Sequence, residues 1–305
     1  MNNIVFMGTP DFAAASLQAL YDAGLSVSAV FTQPDKPKNR GMKMIACPVK
    51  ELALRHETPV YQPANMRDGE ALSILKELDP DLIVAVAYGK ILPIEILNLP
   101  HLGCVNIHGS LLPAYRGSAP IQWTILNGDK QAGVTAMYMA ERLDAGNIID
   151  SITTDVLPNE TSGELFNRLA PLGGELLVRV IQNIFCGQAN SYPQDENKAT
   201  YAPPLSKAMS PIDWTKPAEQ ILCQIHGLNP WPGATAALNG ADLKIHRACL
   251  IDLPSKAAPG SIVQADKNGI VVAAGEGAVC ITEVQASGGK RMSSGDYLRG
   301  HPICL

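Results

Sequence analysis

Asn106 and His108 stand one residue apart at the end of an apolar run, Gly103-Cys-Val-Asn-Ile-His108. In an extended strand residues two apart share a face, so the amide and the imidazole point the same way. Such a pair suits acyl chemistry. The amide donates to an oxygen that gains negative charge, and the imidazole moves protons near neutral pH. A lone strand-end histidine is as readily structural as functional. The second polar group on its face shifts that balance, because buried polar groups need partners. The next residues, Ser110-Leu-Leu-Pro113, form a compact loop that offers backbone groups and an apolar wall to a flat ligand. Further on, Arg142-Leu-Asp-Ala-Gly146 places Asp144 between two strand-like runs. Asp144 fits an Asx-type turn before Gly146, or a carboxylate that holds His108 or takes a proton through water.

Other chemistries lack their residues. Gly8-Thr-Pro-Asp-Phe-Ala13 follows the first strand-like run but is not G-x-G-x-x-G, and Pro10 and Phe12 would block a pyrophosphate. No P-loop, no H-E-x-x-H and no G-x-S-x-G is spelled anywhere, which argues against NTP hydrolysis, zinc proteolysis and serine hydrolysis. The seven cysteines are odd in number, widely spaced and without a Cys-x-x-Cys. They read as reduced thiols of a cytoplasmic protein, not as a disulfide framework or a zinc ribbon.

The elements that must position Asn106, His108 and Asp144 follow from periodicity. Short apolar runs at Asn3–Met7, Ser26–Phe31, Asp81–Ala87 and Gly103–His108 alternate with helical spacing at 12–23, 49–56, 68–78 and 119–128. Asp11 is placed to cap the first helix, and Gly24 to stop it. The unbroken apolar run 82–87 suits a parallel sheet covered on both faces, so the first part reads as a doubly wound α/β domain. Runs 132–139 and 147–154 add two strands, and a long helix spans 162–185, with Thr161 or Ser162 as cap and Glu164 in support. Residues 188–207 are polar and broken by proline, and read as a linker. Five short strand-like runs between 234 and 284 then suggest a small β-barrel of the oligonucleotide-binding (OB) type.

A chain of 305 residues with 46% hydrophobic and 17% charged residues is long enough for two packed domains. No apolar run approaches the length of a membrane span, and Met1-Asn-Asn-Ile-Val-Phe6 does not read as a signal peptide. The net charge of -5 argues against a general nucleic-acid coat. The charge is unevenly spread: 15 Lys and Arg against 21 Asp and Glu up to residue 206, then 9 against 8. Inside the acidic part lies a basic island, where Lys36, Lys38, Arg40 and Lys43 face only Asp35 in anions. A basic loop on an acidic domain suggests a placed contact.

The run Asn106-x-His108-x-Ser110-Leu-Leu-Pro113-x-x-Arg116-Gly117, followed by Leu143-Asp-Ala-Gly146, resembles the signature of formyltransferases that use 10-formyltetrahydrofolate. Phe6-Met-Gly-Thr-Pro-Asp-Phe-Ala13, Phe31-Thr-Gln-Pro-Asp-Lys36, Val86-Ala-Tyr-Gly-x-Ile-Leu-Pro93, Tyr201-Ala-x-x-Leu-Ser-Lys207 and Asn229-Pro-Trp-Pro232 resemble the members of that family acting on initiator methionyl-tRNA. The resemblance runs in order through both expected domains. It implies a Rossmann-like formyltransferase domain over 1–189, a linker over 190–206, and an OB-like tRNA-binding domain over 207–305. It carries catalysis onto Asn106, His108 and Asp144. It carries the folate site onto Ser110, Leu111, Leu112 and Pro113, walled by Val86, Tyr88, Gly89 and Leu143. It gives Lys36, Lys38, Arg40 and Lys43 to the tRNA acceptor stem. The implied reaction is formyl transfer from 10-formyltetrahydrofolate, without a metal, to the amino group of initiator methionyl-tRNA, for translation initiation. The implied enzyme is a cytoplasmic monomer. A sister formyltransferase acting on a sugar-nucleotide amine would share the catalytic three, whereas a silent tRNA-binding module would not need them.

Overall fold

The computed structural model describes residues 2–38, 43–252 and 257–303. They fall into two compact units, the first made of 1–117, 133–154 and 166–201, the second of 118–132, 155–165 and 202–305.

The chain begins with β1 (Ile4–Gly8), α1 (Asp11–Asp22) and β2 (Val27–Phe31). All five residues of β1 are buried, as a strand covered on both faces requires. Asp11 is the first helical residue of α1, not its cap; Pro10 holds the cap position without a side-chain bond. The Asp11 carboxylate instead sits in the first turn, where the helix dipole favours negative charge. Gly24 stops the helix at φ 68°. β3 (Lys36–Lys38) and β4 (Lys43–Ile45) then pair antiparallel, so the basic island is flanked by a hairpin where the sequence predicts a loop. There follow α2 (Pro48–Arg55), β5 (Val60–Tyr61), α3 (Glu70–Leu78), β6 (Leu82–Val86), α4 (Ile94–Leu97), β7 (Cys104–His108), β8 (Arg116–Gly117), α5 (Pro120–Leu126), β9 (Gln131–Tyr138), β10 (Ile148–Asp155) and α6 (Ser162–Phe185).

The seven-stranded sheet of the first unit runs β10-β9-β7-β6-β1-β2-β5. β5, β2, β1, β6 and β7 are mutually parallel, and β9 runs antiparallel to β7, with Thr135 opposite His108. The mostly parallel, doubly wound sheet read from the sequence is therefore present. Gly8 is opposite Val86, and Ala85 opposite Asn106, so the carboxyl ends of β1, β6 and β7 lie side by side. The chain reverses its winding direction between β1 and β6, where open α/β sheets bind ligands. Around α6, the expected capping box forms: Glu164 Oε2 accepts from the Thr161 N–H at 2.9 Å, and Thr161 Oγ1 accepts from the Glu164 N–H at 3.3 Å.

Residues 190–201, expected as part of a linker, belong to the first unit. Ile148 and Tyr192 exchange backbone hydrogen bonds of 2.9 and 3.0 Å, and the Arg116 N–H donates to the Thr200 carbonyl at 2.9 Å. The segment is polar because its side chains satisfy backbone groups of neighbouring loops, and low hydrophobicity alone does not distinguish that from solvent exposure.

The second unit contains β11 (Tyr201–Ala202) in part, then α7 (Ala218–Gly227), β12 (Ala234–Leu238), β13 (Ala241–Ile251), β14 (Ile262–Asp266), β15 (Gly269–Ala273), β16 (Ala278–Ala286), β17 (Met292–Ser293) and α8 (Ser294–Gly300). The strands form an antiparallel, barrel-like sheet in the order β12-β13-β16-β15-β14, with β17 on β16. Register shifts between Ile245 and Ala248 mark where β13 bends along β16. Ile221 and Ile225 of α7 pack with Leu243, Ile245, Val272 and Ile281 in its core. β17 and α8 are too short to leave a periodic signal in the sequence. Ser293 caps α8 by accepting from the Asp296 N–H at 3.0 Å.

Candidate functional site

β7 delivers Asn106 and His108 to the carboxyl edge of the sheet. His108 is only 6% exposed. Its Nε2 lies 2.8 Å from the Tyr115 carbonyl oxygen. A carbonyl only accepts, so the hydrogen of the neutral ring sits on Nε2. Nδ1 then faces Asp144, whose Oδ2 is 3.8 Å away. That distance is beyond a hydrogen bond, so the Tyr115 carbonyl orients the ring and Asp144 stands opposite its free nitrogen. The sequence leaves Asp144 as an Asx-type turn residue, a holder of His108 or a group that takes a proton through water. In the fold Asp144 Oδ2 accepts from the Gly117 N–H at 2.8 Å. Asn106 Oδ1 is buried and, among the described residues, has no hydrogen-bond partner.

The loop carrying Asp144 is under close backbone control. Asp144 has φ 50° and Tyr115 φ 62°, a left-handed conformation that non-glycine residues hold only under constraint. At Gly146 an added Cβ would collide with the Tyr138 carbonyl. The Asp144 turn is held by the Gly117 bond to its carboxylate and by Gln194, whose Nε2 donates to the carbonyls of Asp144 and Gly146, both at 2.8 Å. Gln194 Oε1 accepts from Arg116 Nε at 3.1 Å and from a terminal nitrogen of Arg116 at 2.8 Å. The Arg116 side chain is wholly buried, and its charge is met by Glu196 in a two-pronged pair at 2.8 and 3.2 Å. Arg142 adds a bond to Glu196 at 2.9 Å. Arg116 is visible in the sequence motif. Gln194 and Glu196 are not, since nothing in a polar connector marks a buried amide or its counter-charge.

Hydrogen bonds from Arg116, then Arg142, hold the Glu196 carboxyl at about 2, against an ordinary 4.5. A carboxylate with a lowered folded pKa stabilises the fold above its unfolded pKa and loses that contribution as pH falls through the folded one. The melting-temperature advantage of the wild type over Glu196→Gln should therefore be level above about pH 5 and close between pH 4.5 and about 2. Thermal melts across that range check it. A gap undiminished near the lower end would contradict the pairing.

The loop 110–113 is tied to β9. Thr135 Oγ1 donates to the Ser110 carbonyl at 2.6 Å and accepts from the Leu112 N–H at 3.1 Å. Ser110 Oγ donates to the Ala114 carbonyl at 2.6 Å. Leu112 packs with Met137 and Ile148, and Leu111 lies against Gly133. The Pro113 carbonyl accepts from the Thr200 N–H at 3.3 Å. The chain thus brings Asn106, His108, Asp144 and Ser110–Pro113 together at one end of the sheet. Val86 is buried next to the Ala85–Asn106 pair, and Gly89 is exposed with φ 74°. Tyr88 differs from expectation: its ring packs in the core with Met7, Phe31 and Met66, and burial pushes its phenol up. Only its backbone is left for a ligand wall. Leu143 is 63% exposed at the rim.

In the basic island, Asp35 is paired by Lys50 at 2.6 Å and by Gln62 at 2.9 Å, so the one anion is already neutralised. The Lys50 hydrogen bond holds the Asp35 carboxyl below its ordinary value. Lys36 is exposed, with Nζ 3.0 Å from Gln33 Oε1. Lys38 and Lys43 are register partners across the hairpin. Arg40 lies outside the described residues. Among the described residues no cluster of three or more His, Cys, Asp or Glu could hold a metal, and no helix is long and apolar enough to cross a membrane.

The formyl transferase family matches residues 1–181, and the formyl transferase C-terminal domain matches residues 204–302. The methionyl-tRNA formyltransferase of Trichlorobacter lovleyi is 47% identical over 302 residues, covering 99% of this chain and 95% of the relative. That of Bacillus subtilis is 46% identical, covering 98% and 95%. Among solved structures, the N-formyltransferase of Helicobacter canadensis in complex with folinic acid and dTDP-3-aminofucose aligns with TM-score 0.70 at 18% identity, covering 96% of this chain and 100% of that one. HypX of Aquifex aeolicus with tetrahydrofolic acid aligns with TM-score 0.63 at 18% identity, covering 97% and 46%. At such identities the solved structures share the fold.

Proposed function

Since the chain belongs to the formyl transferase family, we propose that it moves the formyl group of 10-formyltetrahydrofolate onto the amino group of methionine carried by initiator tRNA. The product, N-formylmethionyl-tRNA, starts translation. The observation that carries this reading is the full-length likeness, at 46–47% identity, to enzymes named for that substrate. The reading includes a cytoplasmic monomer, with a catalytic domain over 1–189 and a tRNA-binding domain from 207 onward.

The residues suit the donor. Asn106 Oδ1, buried and without a partner among the described residues, is a polar atom awaiting one, and the tied loop 110–113 offers a preformed apolar and backbone wall. Ser110, Leu111, Leu112 and Pro113 would hold the folate, with Val86, the Tyr88 backbone, Gly89 and Leu143 around it. Bound 10-formyltetrahydrofolate supplies an activated formyl group. Asn106 donates from Nδ2 to the oxygen on which charge develops. A neutral acceptor amine is available near pH 7, because a free α-amino group titrates at about 7.7–8.0 and esterification lowers that value. It sheds a proton as it attacks. Asp144 and the facing Nδ1 of His108, 3.8 Å apart, are the pair that takes that proton and passes it to the leaving N10 as the formyl C–N10 bond breaks, so that tetrahydrofolate departs with N10 neutral. The test is direct: incubation with 10-formyltetrahydrofolate and charged initiator tRNA, then mild alkaline release of the amino acid. Formylmethionine is expected, and unmodified methionine alone would refute the reading.

Lys36, Lys38, Arg40 and Lys43 would grip tRNA phosphates. The double variant Arg40→Ala, Lys43→Ala should raise the KM for charged tRNA. It should also flatten the log–log salt dependence of that KM by roughly one unit for each phosphate no longer neutralised. The KM for the folate should stay put. Steady-state kinetics at two salt concentrations decide it, and an unchanged tRNA KM at both would remove the island from tRNA binding.

A further inference from the structure

We propose that Gln194 is a positioning residue for Asp144, working at the buried end of a relay that runs from the exposed Glu196 through Arg116 to Gln194; the inference rests on the formyl-transfer reading. The Gln194 amide has every capacity in use. Its nitrogen donates two bonds, to the Asp144 and Gly146 carbonyls, and its oxygen accepts two, both from Arg116. The amide can lie only this way round, because guanidinium only donates and carbonyls only accept. Gln194 is 9% exposed and Arg116 1%, so water does not readily replace these bonds. The two carbonyls it grips flank Ala145, in the turn where Asp144 stands at φ 50°. Strained backbone persists only where its surroundings over-determine it; here Gln194 grips the two carbonyls, while the Gly117 N–H holds the Asp144 carboxylate and the Ala145 N–H donates to the Arg142 carbonyl.

Without that grip the turn relaxes, and the Asp144 carboxylate drifts from the free nitrogen of His108. A displacement near 1 Å at a reacting pair costs up to about 100-fold in rate. Gln194 is buried with its amide fully engaged by protein groups, so its effect belongs in kcat. A merely structural tie between residues 190–201 and the rest of the unit would instead act through stability, and would not depend on the Asp144 carboxylate.

Two variants separate these outcomes. Gln194→Met keeps the volume beside Met137 and removes all four bonds. Gln194→Glu keeps the acceptor for Arg116 but turns an oxygen towards the two carbonyls. Both should lower kcat by about 10-fold or more, with the KM for charged tRNA within about two-fold, and shift the acid limb of the kcat–pH profile. In an Asp144→Ala background Gln194→Met should cost less than about two-fold, because the group it positions is gone. Amide exchange at 144–147 should quicken in either variant, a readout that needs no substrate. Full kcat in a folded Gln194→Met protein would overturn the inference, as would an equal loss with and without the Asp144 carboxylate. If Gln194→Met does not fold, Gln194→Glu decides alone on the same readings. A wild type inactive towards charged tRNA would sink the functional reading, while the exchange measurement would still test the grip.

Discussion

Asn106→Ala is expected to lower kcat by about 10²–10³-fold, with the KM of either substrate within a few-fold. The size follows from where the amide sits. It is fixed at the end of a fully paired central strand, Ala85 opposite Asn106 and Met137 on the other side, so it needs little reorganisation to donate. Its oxygen has no hydrogen-bond partner among the described residues. Truncation therefore costs little stability and removes an interaction made chiefly as charge develops. Purified variant and wild type should be compared for kcat, KM and melting temperature together. A kcat within a few-fold of wild type would remove Asn106 from the chemistry.

His108→Ala and Asp144→Asn should each cost roughly 100-fold or more in kcat, the usual reach of acid–base groups. The double variant should be scarcely worse than the more damaged single one, because groups that act as a unit are non-additive. Asp144→Asn is the cleaner probe. An amide oxygen still accepts from the Gly117 N–H, so the loop is retained while the charge facing Nδ1 is lost. Folate affinity should survive in both, since the loop 110–113 is held by Thr135 and not by either residue. Single-turnover rates with a binding titration would show the split. Multiplicative losses in the double variant would mean that the two residues act independently, and the paired proton path would fall.

The parts of this fold that can be read from residues are those set by repetition. The apolar runs of β1, β6 and β7 dictate buried parallel strands, and the two-residue spacing of Asn106 and His108 places both at one strand end. The Thr161–Glu164 cap is local and equally plain. What cannot be read depends on backbone conformation or on partners far along the chain. The Tyr115 carbonyl, not a side chain, orients His108, and its position comes from a left-handed residue that no composition rule marks. Gln194 lies 50 residues beyond the carbonyl of Asp144 that it holds, in a stretch that looks like a polar connector. Tyr88 shows the same gap from the other side: the family resemblance implies a ligand wall there, yet its ring turns back into the core, with its hydroxyl 3.2 Å from Met66 Sδ.

The amine that accepts the formyl group should belong to methionine on initiator tRNA and not to a sugar nucleotide. The sharpest measurement of that choice is kcat/KM at saturating 10-formyltetrahydrofolate, for charged initiator tRNA and for a dTDP-amino sugar, in one enzyme preparation. The tRNA should be preferred by at least about 100-fold, because on the proposed reading the cations of the island grip many phosphates of a tRNA and at most the single diphosphate of a sugar nucleotide. Equal or faster formylation of the sugar nucleotide would contradict it.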